Sequence, residues 1–130
     1  MRPDNYKVKQ QIGIVLQNVA VFDELTVYEN IDYFCGLYVP DKRKRKELVE
    51  EAITFTDLND YRKMRPKKLS GGLLRRLNIA CGIAHKPRLI IMDEPFVGLD
   101  PKAAHLLKEM MHQVCDGGSA IFFSTHVLEV

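Results

Sequence analysis

Two adjacent carboxylates are the first residues of this chain whose types and spacing could do chemistry. Asp93 and Glu94 directly follow the apolar run Leu89–Met92, so they lie where a buried strand would end. Because side chains alternate along a strand, the two acids face different ways and cannot play the same part. The alternative is a strand end with two solvated acids. The position alone predicts a candidate site in which the two carboxylates have separate roles.

A glycine-rich segment is the second candidate. Ser70, Gly71 and Gly72 precede a helical pattern of apolar residues. A helix that begins here offers unpaired N–H groups, a favourable dipole and no bulky side chains, which together make an anion site. A capped helix with a glycine-rich start is the alternative, and the segment by itself does not decide between the two.

Three apolar runs indicate the elements that position these residues. Each run ends in polar residues: Ile12–Leu16 ends at Gln17, Leu89–Met92 at Asp93, and Ala120–Phe123 at Ser124, Thr125 and His126. Continuous apolar runs are typical of strands that are buried on both faces of a parallel sheet. Ligands of such sheets bind outside the carboxyl ends of the strands. The polar residues that end the runs should therefore gather at one edge of the sheet.

Helical patterns fill the chain between the runs. Thr26 and Glu29 form a capping-box pattern, which predicts a helix from Val27 that stops at Pro40. The other predicted helices run from about Asp41 to Thr54, from Ser70 to near Pro87, and from Pro101 to about Cys115. Residues 56–68 are predicted to be loop or short turns, because they are polar and contain a proline.

Composition excludes several classes of protein. The 130 residues are 46% hydrophobic and 28% charged, which is typical of a globular domain rather than a disordered chain. A net charge of +2 gives no case for nucleic acid. Because no apolar run approaches the roughly 18 residues of a membrane span, and the N-terminus lacks a signal-peptide pattern, we expect a cytosolic protein.

Two further patterns favour structural roles. Cys35, Cys81 and Cys115 are far apart and odd in number, which indicates reduced thiols rather than disulfides or zinc ligands, with Cys81 buried. The basic run 42–46 is predicted to be one exposed helical turn, balanced by Glu47, Glu50 and Glu51. Nucleic-acid binding is the alternative for that run.

The order of motifs resembles the ATPase domain of ABC transporters. These motifs are Gln17, Leu69-Ser70-Gly71-Gly72, Asp93-Glu94-Pro95, Gly98-Leu99-Asp100 and Ser124-Thr125-His126. The resemblance implies an α/β fold: a P-loop NTPase-like, mainly parallel sheet with an inserted α-helical subdomain, truncated at the N-terminus. The whole of 1–130 would be a partial ATPase domain. Residues from about 24 to 85 would form the helical subdomain and signature helix, and 12–17 with 86–130 the catalytic core.

The resemblance implies a role for each residue at the sheet edge. Asp93 would hold Mg²⁺, with Gln17 touching both the metal shell and the transporter's membrane subunit. Glu94 would be the general base that polarises the attacking water. His126 would hydrogen-bond the γ-phosphate and help to position that water. ATP and Mg²⁺ are thus the implied cofactors, and hydrolysis of ATP the implied reaction.

The resemblance also implies partners. Ser70, Gly71 and Gly72 would contact the γ-phosphate of an ATP held by a second nucleotide-binding subunit, in a head-to-tail dimer whose interface Asp100 crosses. The dimer would drive a transmembrane permease subunit from the inner face of the cell membrane. Leu73, where the family commonly has glutamine, and the following Arg75-Arg76 are similar to the drug- and polymer-exporting branch.

Two departures from the family pattern affect the expected activity. The phosphate-binding loop G-x-x-x-x-G-K-[ST] is absent, since the sequence contains no Gly-Lys dipeptide and no Lys before Ser or Thr. Phe96 stands where Thr or Ser is usual. We therefore expect a fragment of a longer ATPase domain. The alternatives are a non-hydrolysing or remnant chain that binds a partner, and a soluble ABC ATPase that acts on nucleic acid.

Overall fold

The structure is a computed structural model that describes residues 11–15, 21–93 and 101–124. It divides into two compact units. One unit holds the described residues before position 19 together with those from Lys86 onward, and it contains the strands. The other is Val19–His85 and is helical. The strands and helices together confirm the predicted α/β class.

The strand unit contains a parallel three-stranded sheet, as the apolar runs predict. Its strands β1 (Ile12–Val15), β2 (Leu89–Asp93) and β3 (Ala120–Ser124) lie in that order, with β2 in the centre. The register places Ile14 beside Ile91 and Ile91 beside Phe122. All three strands therefore run toward the same edge of the sheet.

One face of this sheet differs from the prediction. Ile90 and Met92 are buried, whereas the adjacent residues Ile14, Ile91 and Phe122 are 60%, 37% and 65% exposed. Within the described residues, the sheet is therefore buried on one face, and the predicted burial of both faces is not observed. Continuous apolar runs correctly indicated parallel strands, but a run of apolar residues reports what a strand can bury and does not supply the second covering layer.

The helix of the strand unit leads into β3. This helix, which we label α4 (Pro101–Asp116), begins at the predicted proline and contacts β3. Gly118, at φ +105°, turns the chain after the helix, in a conformation that L residues with a Cβ rarely adopt. Ser119 Oγ then donates to the carbonyl of Pro87 at 2.8 Å, which fixes the start of β3 next to the start of β2.

The helical unit packs three helices around one core. They are α1 (Val27–Gly36), α2 (Lys42–Phe55) and α3 (Gly71–Ile83), and two short 3₁₀ turns, Asn59–Tyr61 and Pro66–Lys68, connect the last two. Helix α1 contacts both α2 and α3. The fully or nearly buried apolar residues of this core are Val27, Ile31, Cys35, Val49, Ala52, Ile53, Leu58, Leu69, Leu77, Ala80, Cys81 and Ala84.

Local capping sets where the first helix begins. Thr26 Oγ1 accepts from the Glu29 amide at 3.2 Å, and Glu29 Oε1 accepts from the Thr26 amide at 2.9 Å. This confirms the predicted capping box. The helix ends at Gly36 rather than at Pro40, because the amides of Leu37 and Val39 already turn back to the Phe34 and Cys35 carbonyls.

The basic run begins α2, as predicted, and Lys46 of the run acts on Glu50, one of the three predicted balancing acids. Arg45 Nε donates to Asp32 Oδ1 at 2.9 Å, and Glu50 pairs with Arg62 at 2.7 Å. These two ion pairs join α2 to neighbouring elements, which sequence spacing along one helix cannot reveal. The other four cations of the run, Lys42, Arg43, Lys44 and Lys46, are exposed.

The cysteines behave as reduced thiols in the described residues. Cys35 and Cys81 are buried, and Cys115 is exposed. Burial raises the pKa of the Cys35 thiol to about 11 and raises that of Cys81 further. Both buried thiols therefore stay protonated at neutral pH, and the prediction of a buried structural Cys81 is confirmed.

Candidate functional site

The N-terminus of α3 is the part of the candidate site whose side chains the structure describes. Ser70 is the N-cap, with an extended backbone at φ −68° and ψ 166°, and the helix proper begins at Gly71. Its Oγ accepts a hydrogen bond from the Leu73 amide at 3.3 Å. The helix therefore starts where the sequence predicts, and the serine satisfies one of the four amides that a helix start leaves without intrahelical partners.

The two glycines leave this helix start open. A Cβ built on Gly71 or Gly72 would meet no atom within 4 Å, and neither backbone has a positive φ. Glycine is thus required here neither by packing within the chain nor by an unusual backbone conformation. In a helix, glycine is destabilising relative to alanine by roughly 0.5–1 kcal/mol. The two glycines therefore leave space for a ligand or another chain to approach the backbone amides of the helix start closely.

Apolar residues on both sides hold the open helix start in place. Leu69 is buried, and its amide donates to the Pro66 carbonyl at 3.0 Å, at the end of the preceding 3₁₀ turn. Leu73 is half-buried and packs against the core of the helical unit. Ser70 and Gly71 are exposed between these anchors. The arrangement presents a solvent-facing helix N-terminus between two apolar contacts.

The charges around this terminus favour an anion. Residues 61–85 contain no Asp or Glu. Lys67 and Lys68 are exposed immediately before the helix start, and Arg75 and Arg76 are half-buried in its second turn. Since the helix dipole also places partial positive charge at this end, a phosphate oxygen would be attracted both by the terminus and by the basic residues.

At the sheet edge, the backbone brings two predicted positions together. Strand β2 ends at Asp93 and β3 ends at Ser124, and these two residues are partners in the parallel register. Strand β1 ends beside them, with Val15 opposite Met92. The carboxyl ends of the three strands therefore meet at one edge of the sheet, as the apolar runs predict.

The remaining site predictions lie outside the described residues. Gln17, Glu94, Asp100 and His126 fall in segments that the structure does not describe, and the same holds for the side chain of Asp93. Their roles stay predictions. Within the described part of the chain, no group of three or more His, Cys, Asp or Glu side chains could hold a metal ion. The described start of α3 suits an anion such as a phosphate group, and the Mg²⁺ site expected at Asp93 and Gln17 stays a prediction.

Sequence reasoning missed a second feature, in the helical unit. Asn30 is fully buried, and Phe22, Tyr33 and Phe34 form a cluster of rings with centroids 5.1–5.7 Å apart. The sequence did contain one signal of this feature, because Asn30 stands next to Ile31 inside the apolar stripe of α1. A polar residue at such a position needs hydrogen-bond partners, and they proved to lie in the preceding loop.

Comparison with known proteins places these features in a family. The family model described as ABC transporter matches residues 2–97. The chain is 35% identical over 123 residues to the linearmycin resistance ATP-binding protein LnrL of Bacillus subtilis (strain 168). It is 36% identical over 121 residues to the Nod factor export ATP-binding protein I of Rhizobium sp. (strain N33), and 31% identical over 118 residues to the probable multidrug ABC transporter ATP-binding protein YbhF of Escherichia coli (strain K12).

The alignments cover most of this chain and a minority of each relative. They take in 95%, 93% and 91% of the chain, but 40%, 40% and 20% of the respective relatives. No helix in the described ranges is both long enough and apolar enough to cross a membrane. The matched family model, the parallel sheet and the glycine start of α3 agree, and the chain belongs to the family of ABC transporter ATP-binding proteins.

Proposed function

We propose that this chain is part of the ATP-binding and ATP-hydrolysing subunit of an export-type ABC transporter. The observation that carries the proposal is the start of α3, where two glycines leave a helix N-terminus open although no contact among the described residues requires glycine there. Export is supported by the relatives, one named for Nod factor export and another for probable multidrug transport. The Leu73 and Arg75-Arg76 variant is a second support for that branch.

In this proposal the start of α3 binds phosphate, and the residues at the sheet edge act on the attacking water and the metal. The Gly71 and Gly72 amides hydrogen-bond oxygens of the terminal phosphate, while Ser70 keeps the helix start fixed. Glu94 accepts the proton of the attacking water, and His126 orients that water. When bound, ATP with Mg²⁺ supplies the phosphoryl group to be transferred and the cation that neutralises its charge. Asp93 and Gln17 are the residues that would hold the metal.

The proposed site needs a second subunit and a membrane partner. The start of α3 is exposed, so the phosphate that it binds can belong to a nucleotide held by another copy, in a head-to-tail dimer with Asp100 at the interface. The phosphate loop of the family is absent from this sequence, so the grip on the remaining phosphates must come from outside these 130 residues. A transmembrane permease would anchor the dimer at the cytoplasmic face of the membrane.

The experiment places a carboxylate at the open helix start. In the complete natural protein that carries this chain, Gly71→Asp should leave folding intact, because the added atoms meet open space and the charge suits the helix dipole. The same charge should repel phosphate, and ATP turnover should fall by about a hundredfold. Asn59→Asp adds an equal charge at an exposed position and serves as the control. Unchanged turnover in Gly71→Asp would remove α3 from the site.

A non-hydrolysing, partner-binding role is the alternative, and it is favoured by the absent phosphate loop and by Phe96. The same assay separates it from the proposal. If the complete protein binds MgATP but shows no turnover above background, the non-hydrolysing role holds.

A further inference from the structure

A short stretch of chain leads into the start of α3. Residues 62–69 run from the first 3₁₀ turn to the Ser70 cap, and we call them the connecting segment. The second 3₁₀ turn, Pro66–Lys68, folds the end of this segment, and Leu69 is buried directly before the cap. A folded segment with a buried end has little slack, so its position sets the position of the helix start.

The connecting segment supplies hydrogen-bond acceptors to the first turn of α1. The Val27 amide donates to the Met64 carbonyl at 2.8 Å. The Tyr28 amide donates to the Arg62 carbonyl at 3.0 Å. A helix start leaves four amides without intrahelical partners, and the capping box satisfies the other two. The connecting segment therefore completes the start of α1, and main-chain hydrogen bonds hold it against that helix.

The side chain of Arg62 fixes the same segment to α2. Its Nη1 and Nη2 atoms donate to the two carboxylate oxygens of Glu50 at 2.9 Å and 2.7 Å. Its guanidinium carbon lies 5.8 Å from the centre of the Tyr28 ring. Pairing through two parallel hydrogen bonds fixes the orientation of the guanidinium plane, which a single hydrogen bond does not. Arg62 thus joins α1, α2 and the connecting segment at one point.

Arg62 differs from the other cations of the connecting segment. Its side chain is half-buried and paired, whereas four others are exposed: Lys63, Arg65, Lys67 and Lys68. Partly exposed ion pairs usually contribute little to the stability of a protein. The place of this pair in the chain gives it another consequence, because the same residue caps α1 through its carbonyl and begins the segment that ends at the start of α3.

We propose that Arg62 is a positioning residue for the start of α3, and that it acts through Glu50 and the connecting segment. Groups that bind a transition state must be held within about 0.5 Å of their productive position, so a loosened segment would lower the rate of the reaction. The inference rests on the proposed function, because it assumes that the Gly71 and Gly72 amides bind the terminal phosphate.

Loss of the pair should slow ATP turnover and leave ATP binding intact. In the complete natural protein that carries this chain, Arg62→Met should lower kcat by about tenfold, and Glu50→Gln by about fivefold, because an amide oxygen can still accept one of the two hydrogen bonds. The dissociation constant of MgATP should change by less than about twofold, since the grip on the other phosphates comes from outside these residues. Unchanged kcat in both variants would overturn the proposal.

Asp32→Asn is the matched control for Glu50→Gln. The side chains of Asp32 and Glu50 are 40% and 41% exposed, and each pairs with one arginine. Both substitutions replace a carboxylate by an amide of the same shape, so both should change the free energy of unfolding to a similar, small extent. Asp32 pairs with Arg45 and joins α1 to α2 directly, so Asp32→Asn should hydrolyse ATP at the unaltered rate. Equal losses of turnover in the two variants would make stability the cause and overturn the assignment.

A double substitution tests whether Arg62 acts through Glu50. Turnover of R62M/E50Q should match that of Arg62→Met alone, because the second change removes a partner whose contact is already lost. If the two losses multiplied instead, the two residues would act independently, and the proposed route through Glu50 would be wrong.

Hydrogen exchange supplies a measurement that needs no ATP turnover. In Arg62→Met, the amides of residues 70–74 should exchange about tenfold faster than in Asp32→Asn, because the segment before them is no longer fixed to α2. Equal exchange in these two variants, in a protein that does hydrolyse ATP, would contradict the inference alone. Faster exchange of residues 70–74 in a protein that hydrolyses no ATP would support positioning by Arg62 and contradict the proposed hydrolytic function alone.

Discussion

The side chain of Asn30 hydrogen-bonds both the amide and the carbonyl of Phe22, at 2.8 Å and 3.0 Å. The pairing resembles that of two neighbouring strands, but here a buried amide side chain replaces one of the backbones. Two further carbonyls, of Leu25 and Thr26, accept from the same amide group. A single residue therefore ties the loop before α1 to the helix itself.

We expect Asn30→Asp to destabilise the helical unit strongly. The carboxylate can still accept from the Phe22 amide, but it cannot donate to the three carbonyls, and it would place a charge in a fully buried position. The free energy of unfolding should fall by at least about 2 kcal/mol, measured by urea denaturation. Asn59→Asp, the same substitution at an exposed position, should change it by no more than about 0.5 kcal/mol. Equal effects of the two substitutions would refute the conclusion that Asn30 holds the loop before α1 to the helix.

Two substitutions at the start of α3 should change the stability of the protein in opposite directions. Gly71→Ala should stabilise the protein by up to about 1 kcal/mol, because the added methyl group meets no atom and the backbone is already helical. Ser70→Ala should destabilise it by about 1 kcal/mol through loss of the cap on the Leu73 amide. Thermal unfolding measures both changes.

In the proposed function, both substitutions should lower ATP turnover, although only one of them weakens the fold. Gly71→Ala crowds the amides that would bind phosphate, and Ser70→Ala loosens the helix start. A stabilised Gly71→Ala protein with full turnover would mean that the glycine is not there for a ligand.

Acid should weaken one specific contact of the helical unit. The hydrogen bonds from Arg62 hold the pKa of Glu50 below its usual value, and partial desolvation opposes them. Because the folded-state pKa is lowered, the contribution to stability is fully present above the usual value of 4.5 and is lost as the pH falls below it.

Comparison with Glu50→Gln measures this contribution. The difference in unfolding temperature between the two proteins should be small at pH 7, since the pair is partly exposed, and should shrink toward zero near pH 3. The prediction would be wrong if the difference grew on acidification.

The sequence was sufficient for those parts of the fold that depend on local patterns. Thr26, Ser70 and Pro101 carry their information in the few residues that follow them, so the starts of three helices were predicted correctly. The parallel strands could be predicted because continuous apolar runs rarely fit any other sheet. The convergence of Asp93 and Ser124 followed from the strand direction alone.

Contacts between elements could not be predicted in this way. Asn30 of α1 hydrogen-bonds Phe22, which lies eight residues earlier in a loop without a periodic pattern. Arg45 of α2 hydrogen-bonds Asp32 of α1. The exposure of Ile14 and Phe122 depends on which layers cover the sheet, which the strand sequences do not encode. At the candidate site, the roles of individual residues follow from the resemblance to the ABC family, and they stay predictions because Gln17, Glu94 and His126 lie outside the described residues.

The most direct test of the account is therefore ATP turnover by the complete natural protein with Glu94→Gln. We expect MgATP affinity to be retained and turnover to fall by about a thousandfold, because glutamine keeps the shape of the side chain and cannot accept the proton. Glu109→Gln, an exposed glutamate on α4, should hydrolyse ATP at the unaltered rate. Turnover that survives Glu94→Gln would contradict the assignment of Glu94 as the base and, with it, the proposed hydrolytic mechanism.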